Sequence, residues 1–303
     1  MTIPQRVFYG GQAVMEGVLM RGQSHASMAV RRPNGTIATK IEPISHWART
    51  PLRRVPFIRG VIILAETLVM GMSALQWSAN VALEQEGEEL TGRQMAFVIV
   101  MAIGFAAVLF FATPAFLTGL LEEYLPSFVI HLLEGAIRIL FLLAYLLFIG
   151  RMQDVQRLFM YHGAEHKTIH AYEAGLPLDV AHIQPFSPAH PRCGTSFLLM
   201  VMVVSVFVFA FLGPMDMIWR VLSRILLLPF IAAVSYEAMR WGATHLGGWW
   251  STLVVGPGLA LQKLTTREPE DSQVEVAVTA FQNLRQLEAD ASFDPKLAGE
   301  INA

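Results

Sequence analysis

Four long apolar runs dominate the sequence and predict membrane-spanning helices. Residues 95–120 contain no charged side chain and would form a helix of about 39 Å, longer than the roughly 30 Å hydrocarbon core of a bilayer. Residues 128–150, 196–212 and 217–234 form the other runs, of which 196–212 is close to the minimum length for a crossing. Because short links join the first run to the second and the third to the fourth, we expect two antiparallel helical hairpins.

Two further apolar stretches are interrupted and predict helices at the membrane interface. Residues 57–83 carry Arg59 and Glu66, and a single additional crossing there would place the N-terminus outside. We therefore interpret this stretch as an amphipathic helix that lies on or dips into the inner leaflet. Residues 245–262 contain glycines, a proline and a tryptophan pair suited to an interface, which favours a short re-entrant or surface helix over a fifth span.

The N-terminal region has a different pattern, in which apolar and polar residues alternate on both sides of Asn34 and Gly35. Alternation around an Asn-Gly dipeptide is typical of a β-hairpin. The glycine-rich string before it, YGGQAVMEGVLMRG, predicts a tightly turning segment that brings Glu16 or Arg21 close to another part of the backbone. Near the other end of the chain, VAVTAFQNLRQLEA predicts a helix after an acidic stretch.

Charge placement predicts the orientation of the helices. Lysine and arginine are frequent before residue 56 and between residues 151 and 192, whereas the two short links LEEYLPS and GPMD contain neither. By the positive-inside rule, both termini and the central segment are expected in the cytoplasm.

Composition supports a membrane protein and excludes other classes. The chain is 54% hydrophobic and 15% charged, with a mean hydropathy of +0.47, whereas soluble domains carry about 25% charged residues. A formal charge of −2 gives no support for nucleic-acid binding. The single cysteine, Cys193, excludes a secreted scaffold held by intramolecular disulfides.

The predicted fold is mainly α: a polytopic membrane helical bundle of about four spanning helices, with interfacial or re-entrant helices and a small N-terminal β-hairpin element on the cytoplasmic side. The predicted segments are a cytoplasmic β-containing segment (1–56), an amphipathic or re-entrant helix and linker (57–94), a first transmembrane hairpin (95–150), a cytoplasmic His-rich segment (151–195), a second transmembrane hairpin (196–236) and a cytoplasmic C-terminal segment with an interfacial helix and an acidic tail (237–303).

The central segment contains YHGAEHKTIHAYEAG, which predicts a helix with histidines and glutamates on one face. At 100° per residue, that face spans about 140°. It holds His162, Glu165, His166, His170 and Glu173. Within it, H-x-x-E-H matches the pattern in which two histidines bind zinc and the glutamate activates water. The alternative is a His-rich interfacial helix whose imidazoles cap carbonyls or meet lipid headgroups.

A second cluster, HPRCGTSF, precedes the third apolar run and contains His190, Arg192 and Cys193. A thiol at a helix entry beside an arginine favours the thiolate, which is the form needed for a metal ligand or a nucleophile. Cys–His nucleophilic catalysis is therefore a second possible chemistry. The alternative for Cys193 is a small buried apolar residue. Glu237, at the cytoplasmic end of the fourth run, is a candidate additional metal ligand.

Ionisable residues also occur inside the apolar runs. His131, Glu134 and Arg138 share one helix face, and the i, i+4 spacing of the last two favours a structural ion pair. We expect Arg220 and Arg224, in the outer half of the fourth run, to snorkel or pair outward, so they carry little functional weight.

The strings GGQAVMEGVLMRG, YHGAEHKTIHAYE, HPRCGTSF, SYE and LQKLTTREPED together resemble the YqhQ-like family of bacterial membrane proteins. The resemblance extends from about residue 9 to about residue 271. The family is a domain of unknown function, labelled a predicted metal-dependent enzyme. The resemblance implies a multi-pass protein of the bacterial inner membrane with a metal site on its cytoplasmic face, and it implies no substrate. In this sequence the matching residues are His162, Glu165, His166, His170, Cys193 and Glu237.

We therefore expect a divalent metal, most readily zinc, bound by His162 and His166, with His170, Cys193 or Glu237 completing the ligand set. In a metal-dependent hydrolase Glu165 would deprotonate water, whereas a structural zinc site would leave no position for water. The main alternative is a non-enzymatic membrane scaffold or assembly factor, and the third is a transporter that uses Glu134 and Arg138. The expected partners are the lipid bilayer and other membrane proteins, without nucleic acid.

Overall fold

The computed structural model describes residues 9–44, 51–84, 91–213, 215–244 and 249–291. Within these ranges the protein is mainly helical and begins with a small antiparallel sheet. The strands are β1 Gly10–Val14, β2 Gly17–Arg21, β3 His25–Arg31 and β4 Ile37–Pro43. The helices are α1 Ile58–Ala82, α2 Gly92–Ala107, α3 Thr113–Gly119, α4 Ser127–Ile149, α5 Gln153–Glu173, α6 Val180–Ile183, α7 Gly194–Ala210, α8 Met217–Leu226, α9 Leu228–Thr244, α10 Trp249–Thr265 and α11 Asp271–Ala291.

The sheet is a four-stranded meander in the order β1-β2-β3-β4. The predicted hairpin is confirmed: β3 and β4 pair antiparallel, with Arg31 opposite Ile37 on either side of the Asn34-Gly35 turn. The sheet has more strands than the single hairpin that was expected. The glycine-rich string forms two further strands, β1 and β2, with a turn at Glu16. Helices cover both faces of the sheet, so β2 is apolar without alternation.

Two apolar cores hold the sheet between helices. On one face Val18 and Met20 pack with Tyr161 of α5 and Phe281 of α11. On the other face a second core contains Leu19 and Met28 together with Ala74 of α1. Alternate residues of β2 enter opposite cores. The N-terminal sheet therefore packs against α5 and α11 on one face and against α1 on the other.

Several helices have the length and composition of membrane spans. Ile58–Ala82, Gly92–Gly119 and Ser127–Ile149 pass on both criteria, and Ile218–Leu226 with Leu228–Gly242 forms a fourth if this pair, bent by 43°, is one span. Helix Gly194–Ala210 is apolar but shorter. The apolar helices predicted from the sequence are thus present, with an unpredicted bend between α8 and α9. Their insertion into a membrane and the orientation of the termini stay predictions.

Helix α1 combines an apolar outer surface with a face that packs on the protein. Gly71 lies against Gln12 of β1, and Gly60 lies against Tyr236 of α9. Leu68 and Val69 on the outer side are exposed. This arrangement suits the amphipathic helix predicted from the sequence, although α1 is also long and apolar enough to cross a membrane.

The other predicted interfacial stretch, 245–262, differs from the expectation where it is described. Residues 245–248 lie outside the described ranges. From Trp249 to Thr265 the chain forms one continuous helix, with Pro257 inside it rather than at a break. Gly258 of this helix lies against Ser196 of α7.

A buried charge cluster joins three of the apolar helices. The Glu134–Arg138 ion pair is confirmed, with 2.7 Å between Oε1 and Nη2. The prediction that Arg224 extends outward is wrong: its Nη2 lies 2.9 Å from Glu134 Oε2, and all three side chains are 1% exposed. Arg220 is also buried and pairs with Glu122. A buried guanidinium needs a counter-charge. Each of these arginines therefore pairs with a buried or nearby glutamate instead of extending its side chain into solvent.

Arg138 also donates a hydrogen bond to the backbone of the segment between α2 and α3. Pro114 has no N–H to donate to the carbonyl of Phe110, four residues earlier, and a π-helical turn spans Val108–Ala112 at this point. The Nε of Arg138 donates to Phe110 O at 2.8 Å. The cluster therefore supplies a donor to a carbonyl that Pro114 cannot serve.

Candidate metal centre

Helix α5 places the histidine and glutamate face at the centre of the molecule. The helix ends at Glu173, just before Gly175, which has a positive φ of 72°. Glu165 and His166 are buried because α5 packs against strands β1 and β2 and against helices α6 and α11. Gly163 lets the backbone of Arg267 pack directly against α5, since a Cβ at Gly163 would lie 2.1 Å from the carbonyl oxygen of Arg267. The polar face is therefore turned into the protein.

His162, His166 and Cys193 converge. Their candidate ligand atoms all lie within 4.8 Å of one another. His162 Nε2 lies 3.1 Å from Cys193 Sγ, and the two imidazole centroids are 4.4 Å apart. Two residues at i and i+4 of one helix thus meet a thiol from the start of another helix.

Backbone carbonyls fix the tautomer of both imidazoles. His162 Nδ1 lies 2.8 Å from Thr265 O, and His166 Nδ1 lies 2.6 Å from Pro188 O. A carbonyl oxygen only accepts, so each Nδ1 must carry the proton and each neutral ring presents a lone pair at Nε2. Histidines that bind metals are oriented in this way by an outer hydrogen bond.

The protonation tendencies of His166 and Cys193 suit metal binding. Burial lowers the pKa of His166, which favours the neutral imidazole. For Cys193, burial raises the pKa, but interactions with His166, which favour the thiolate when that ring is protonated, and hydrogen bonds from Thr195 outweigh it and hold the thiol pKa below its ordinary value. Cys193 is also the N-cap of α7, where the backbone N–H of Thr195 approaches Sγ at 3.4 Å.

Glu165 lies beside this group with an unsatisfied oxygen. Its side chain is 4% exposed, and burial raises its pKa to about 8. Among the residues that the structure describes, Oε2 has no hydrogen-bond partner. The carboxyl occupies space left by the missing side chain of Gly11, where a Cβ would be 2.9 Å from Oε1. The orphaned oxygen of Glu165 lines the same cavity as the two imidazoles and the thiol, but its carboxylate is not among the ligand atoms that lie within 4.8 Å of one another. The two imidazoles and the thiol are a donor set that fits a divalent cation.

His170 joins a separate cluster rather than the group of His162, His166 and Cys193. His170, Glu173 and His190 place their candidate ligand atoms within 4.8 Å of one another. His190 Nδ1 accepts from the backbone N–H of Arg192 at 3.3 Å, so its Nε2 carries a proton toward Glu173, 3.5 Å away. Burial raises the Glu173 pKa, but the nearby His190 ring and the bond from Arg192 outweigh it and lower the pKa to about 2; among the described residues, Nε2 of His190 has no hydrogen-bond partner. This cluster is already charge-balanced.

Glu237 is held elsewhere. Its Oε1 accepts from the Nε of Arg59 at 2.7 Å and from the backbone N–H of Phe57 at 3.0 Å. The structure therefore brings together His162, His166 and Cys193 with Glu165, and it does not bring Glu237 or His170 to them. The charge of Arg59 explains the position of Glu237, since a half-buried arginine needs a counter-charge.

Gln262 is a supporting residue that sequence reasoning missed. Its Oε1 accepts from His190 N at 2.8 Å, and its Nε2 donates to His190 O at 2.9 Å and to Ser196 Oγ at 3.0 Å. Gln262 thereby fixes the loop that carries Cys193 to helix α10. In the sequence, Gln262 is one amide residue at the end of an apolar stretch. Such a residue does not by itself indicate a hydrogen bond to a distant loop.

Comparison with known proteins places the chain among uncharacterised relatives. A family model described as "Protein of unknown function (DUF1385)" matches residues 55–287. An "Uncharacterized protein YqhQ" of Bacillus subtilis (strain 168) is 37% identical over 300 residues, covering 93% of each chain. No solved structure matches the chain. These relatives carry no description of an activity, substrate or metal.

Proposed function

The chain belongs to the DUF1385 family, and from that premise we propose that His162, His166 and Cys193 form a zinc centre for a hydrolytic reaction at the cytoplasmic membrane surface. The observation that carries the proposal is the convergence of two Nε2 lone pairs, each fixed by a backbone carbonyl, on one thiol. The cytoplasmic position rests on the lysines and arginines that flank the apolar helices.

The ligand set and its spacing suit zinc. Imidazole nitrogen and thiolate sulfur are preferred zinc ligands, and bonds of about 2.0–2.3 Å place tetrahedral ligand atoms about 3.3–3.8 Å apart. The His162 Nε2–Cys193 Sγ separation of 3.1 Å is close to this range. Three protein ligands leave one position open, which is the arrangement of catalytic rather than structural zinc sites.

Glu165 is placed to handle protons. A zinc ion held there would supply Lewis-acid polarisation of a substrate carbonyl or phosphoryl oxygen and lower the pKa of water. Glu165 takes a proton from the attacking water while the water oxygen bonds to the electrophilic atom. The bond to the leaving group then breaks, and Glu165 returns the proton to it. The burial of Glu165 limits access of bulk water to the carboxyl.

The 3.1 Å contact between His162 and Cys193 also supports a second candidate. A cysteine nucleophile needs a base within hydrogen-bond reach and a group that orients the base. His162 is that base, and Thr265 O orients it through Nδ1 at 2.8 Å. The two candidates differ in whether zinc is bound.

Zinc content tests the proposal directly. We expect about one equivalent of zinc in the wild-type protein purified in detergent without chelators, and strong loss in His166→Ala. The measurement is mass-spectrometric metal analysis beside circular dichroism to confirm folding. His182→Ala is the matched control, because His182 is half exposed and pairs with Asp179 on the short helix α6. Metal-free wild-type protein that is folded would refute the zinc centre and leave the cysteine nucleophile.

Zinc binding should also release the proton of Glu165. With a pKa of about 8 in the absence of a cation, Glu165 is protonated about ten to one at pH 7. A nearby cation favours the carboxylate, so zinc affinity should rise between about pH 6 and pH 8. Calorimetric titration in buffers of different ionisation enthalpy measures the protons released.

The variant Glu165→Gln should release about one proton fewer per zinc at pH 7. The exposed Glu275 on α11 offers a control, and Glu275→Gln should match the wild type. Equal proton release from all three proteins would contradict the assignment of this proton to Glu165.

A further inference from the structure

A cavity of about 670 Å³ extends from the candidate metal centre into the apolar part of the protein. It is lined by His162, Glu165, His166 and Cys193. The lining also includes a stripe of α4, Leu142, Leu146 and Ile149, whose i, i+4, i+7 spacing places them on one helix face. Polar chemistry and hydrocarbon surface therefore meet inside one cavity.

The cavity reaches the apolar surface as well as the surface of the sheet. Thr67 of α1 and Leu198 of α7 line it and are exposed, Leu198 to 50%. Exposed Leu68 and Val69 lie next to Thr67 on α1. Exposed Gly10 and Gly11 of strand β1 also line the cavity. The cavity lining thus includes exposed residues of the apolar helices as well as the polar groups of the candidate metal centre.

We propose that the substrate of the zinc centre is a single-chain amphiphile drawn from the membrane, an inference that rests on the proposed hydrolytic function. The hydrolysable polar group lies at Glu165 and the His/His/Cys group, and the hydrocarbon chain lies along the stripe of α4. Burial of that chain against Leu142, Leu146 and Ile149 supplies binding energy remote from the reacting bond.

The cavity volume favours this substrate over a helical membrane peptide. The volume is within the range of about 300–1,000 Å³ typical of small-molecule sites. A helix of about 10 Å diameter and 1.5 Å rise per residue would place only about six residues in it. The cavity therefore suits one flexible chain with a polar head, and an extended peptide is the competing occupant to be tested.

Photolabelling in lipid nanodiscs tests the proposal. The probe is a lysophospholipid whose acyl chain carries a diazirine, and labelled positions are mapped by peptide mass spectrometry. We expect adducts on the inward stripe of α4, and a loss of these adducts of about tenfold or more in Leu146→Trp, which fills the cavity. The control Leu147→Trp changes the next residue, which is 48% exposed, and should label like the wild type.

The outcomes are distinct. Labels confined to outward residues such as Leu147 and Phe148, or cavity labelling by an extended diazirine peptide but not by the lipid, would overturn the amphiphile proposal. Zinc content measured on the same samples separates the two hypotheses, because zinc without inward labelling rejects only the substrate class. Inward labelling without zinc rejects the hydrolytic centre while retaining the lipid site. If Leu146→Trp does not fold, Leu146→Phe and the wild-type map decide.

Discussion

Replacing Glu134 with alanine should lower the free energy of unfolding by about 3–5 kcal/mol, because it leaves two buried guanidinium groups without a counter-charge. Glu134 accepts from Arg138 at 2.7 Å and from Arg224 at 2.9 Å and 3.1 Å. Each arginine also has a contact with the ring of Phe209, which lies under both, but a ring face cannot replace a carboxylate at this depth.

Unfolding in detergent with increasing dodecyl sulfate, followed by tryptophan fluorescence, measures this loss. Glu84→Ala is the matched control, because Glu84 also pairs with an arginine, Arg32, but is 56% exposed; we expect a change under about 1 kcal/mol. The triple variant Glu134→Leu, Arg138→Leu, Arg224→Leu should recover much of the lost stability, since whole buried ion clusters are often replaceable by apolar residues. Equal losses in Glu134→Ala and Glu84→Ala would show that burial does not determine the cost.

Replacing Glu165 with glutamine should reduce hydrolysis by about 10²–10⁴-fold while zinc stays bound. The amide keeps the shape of the carboxyl in the space beside Gly11 but does not take a proton from water. The measurement is release of product from chromogenic esters of single-chain lipids in mixed micelles, with metal content determined on the same preparation.

Two comparisons make the Glu165→Gln result specific. Glu275→Gln, on the exposed side of α11, should retain full activity. His166→Ala should lose both zinc and activity, whereas Glu165→Gln should lose only activity. If Glu165→Gln loses zinc as completely as His166→Ala, Glu165 is a ligand rather than a base; if its activity is unchanged, the proton acceptor lies elsewhere.

Local periodicity was sufficient to predict the helical part of this protein. Long apolar runs predicted the helices α2, α4 and α7, and the Asn34-Gly35 alternation predicted the pairing of β3 with β4. The resemblance to the YqhQ-like family is confirmed by the 37% identity with the Bacillus subtilis protein. The helical face that joins His162, Glu165 and His166 also followed from residue spacing, because i and i+4 neighbours of one helix are fixed by its geometry.

What the sequence could not predict depends on contacts between distant segments. Strands β1 and β2 lacked alternation because helices cover both faces of the sheet. Helical spacing placed His170 with His166, but its ring lies 4.5 Å from that of His190, in the next cluster. The partner of Arg224 lies 90 residues away in Glu134, and the position of Glu237 depends on Arg59, 178 residues away.

Helix α11 is the last described helix, and it covers strands made near the start of the chain. The core around the sheet is therefore completed late during synthesis. Phe281 and Leu284 close the core that contains Val18, Met20 and Tyr161 of α5, so this core is complete only after α11 has been synthesised. The carbonyl of Thr265, which orients His162, is also made late. The histidine and cysteine cluster can therefore be assembled only after residue 265 has been made, when helices α1–α9 have already been synthesised.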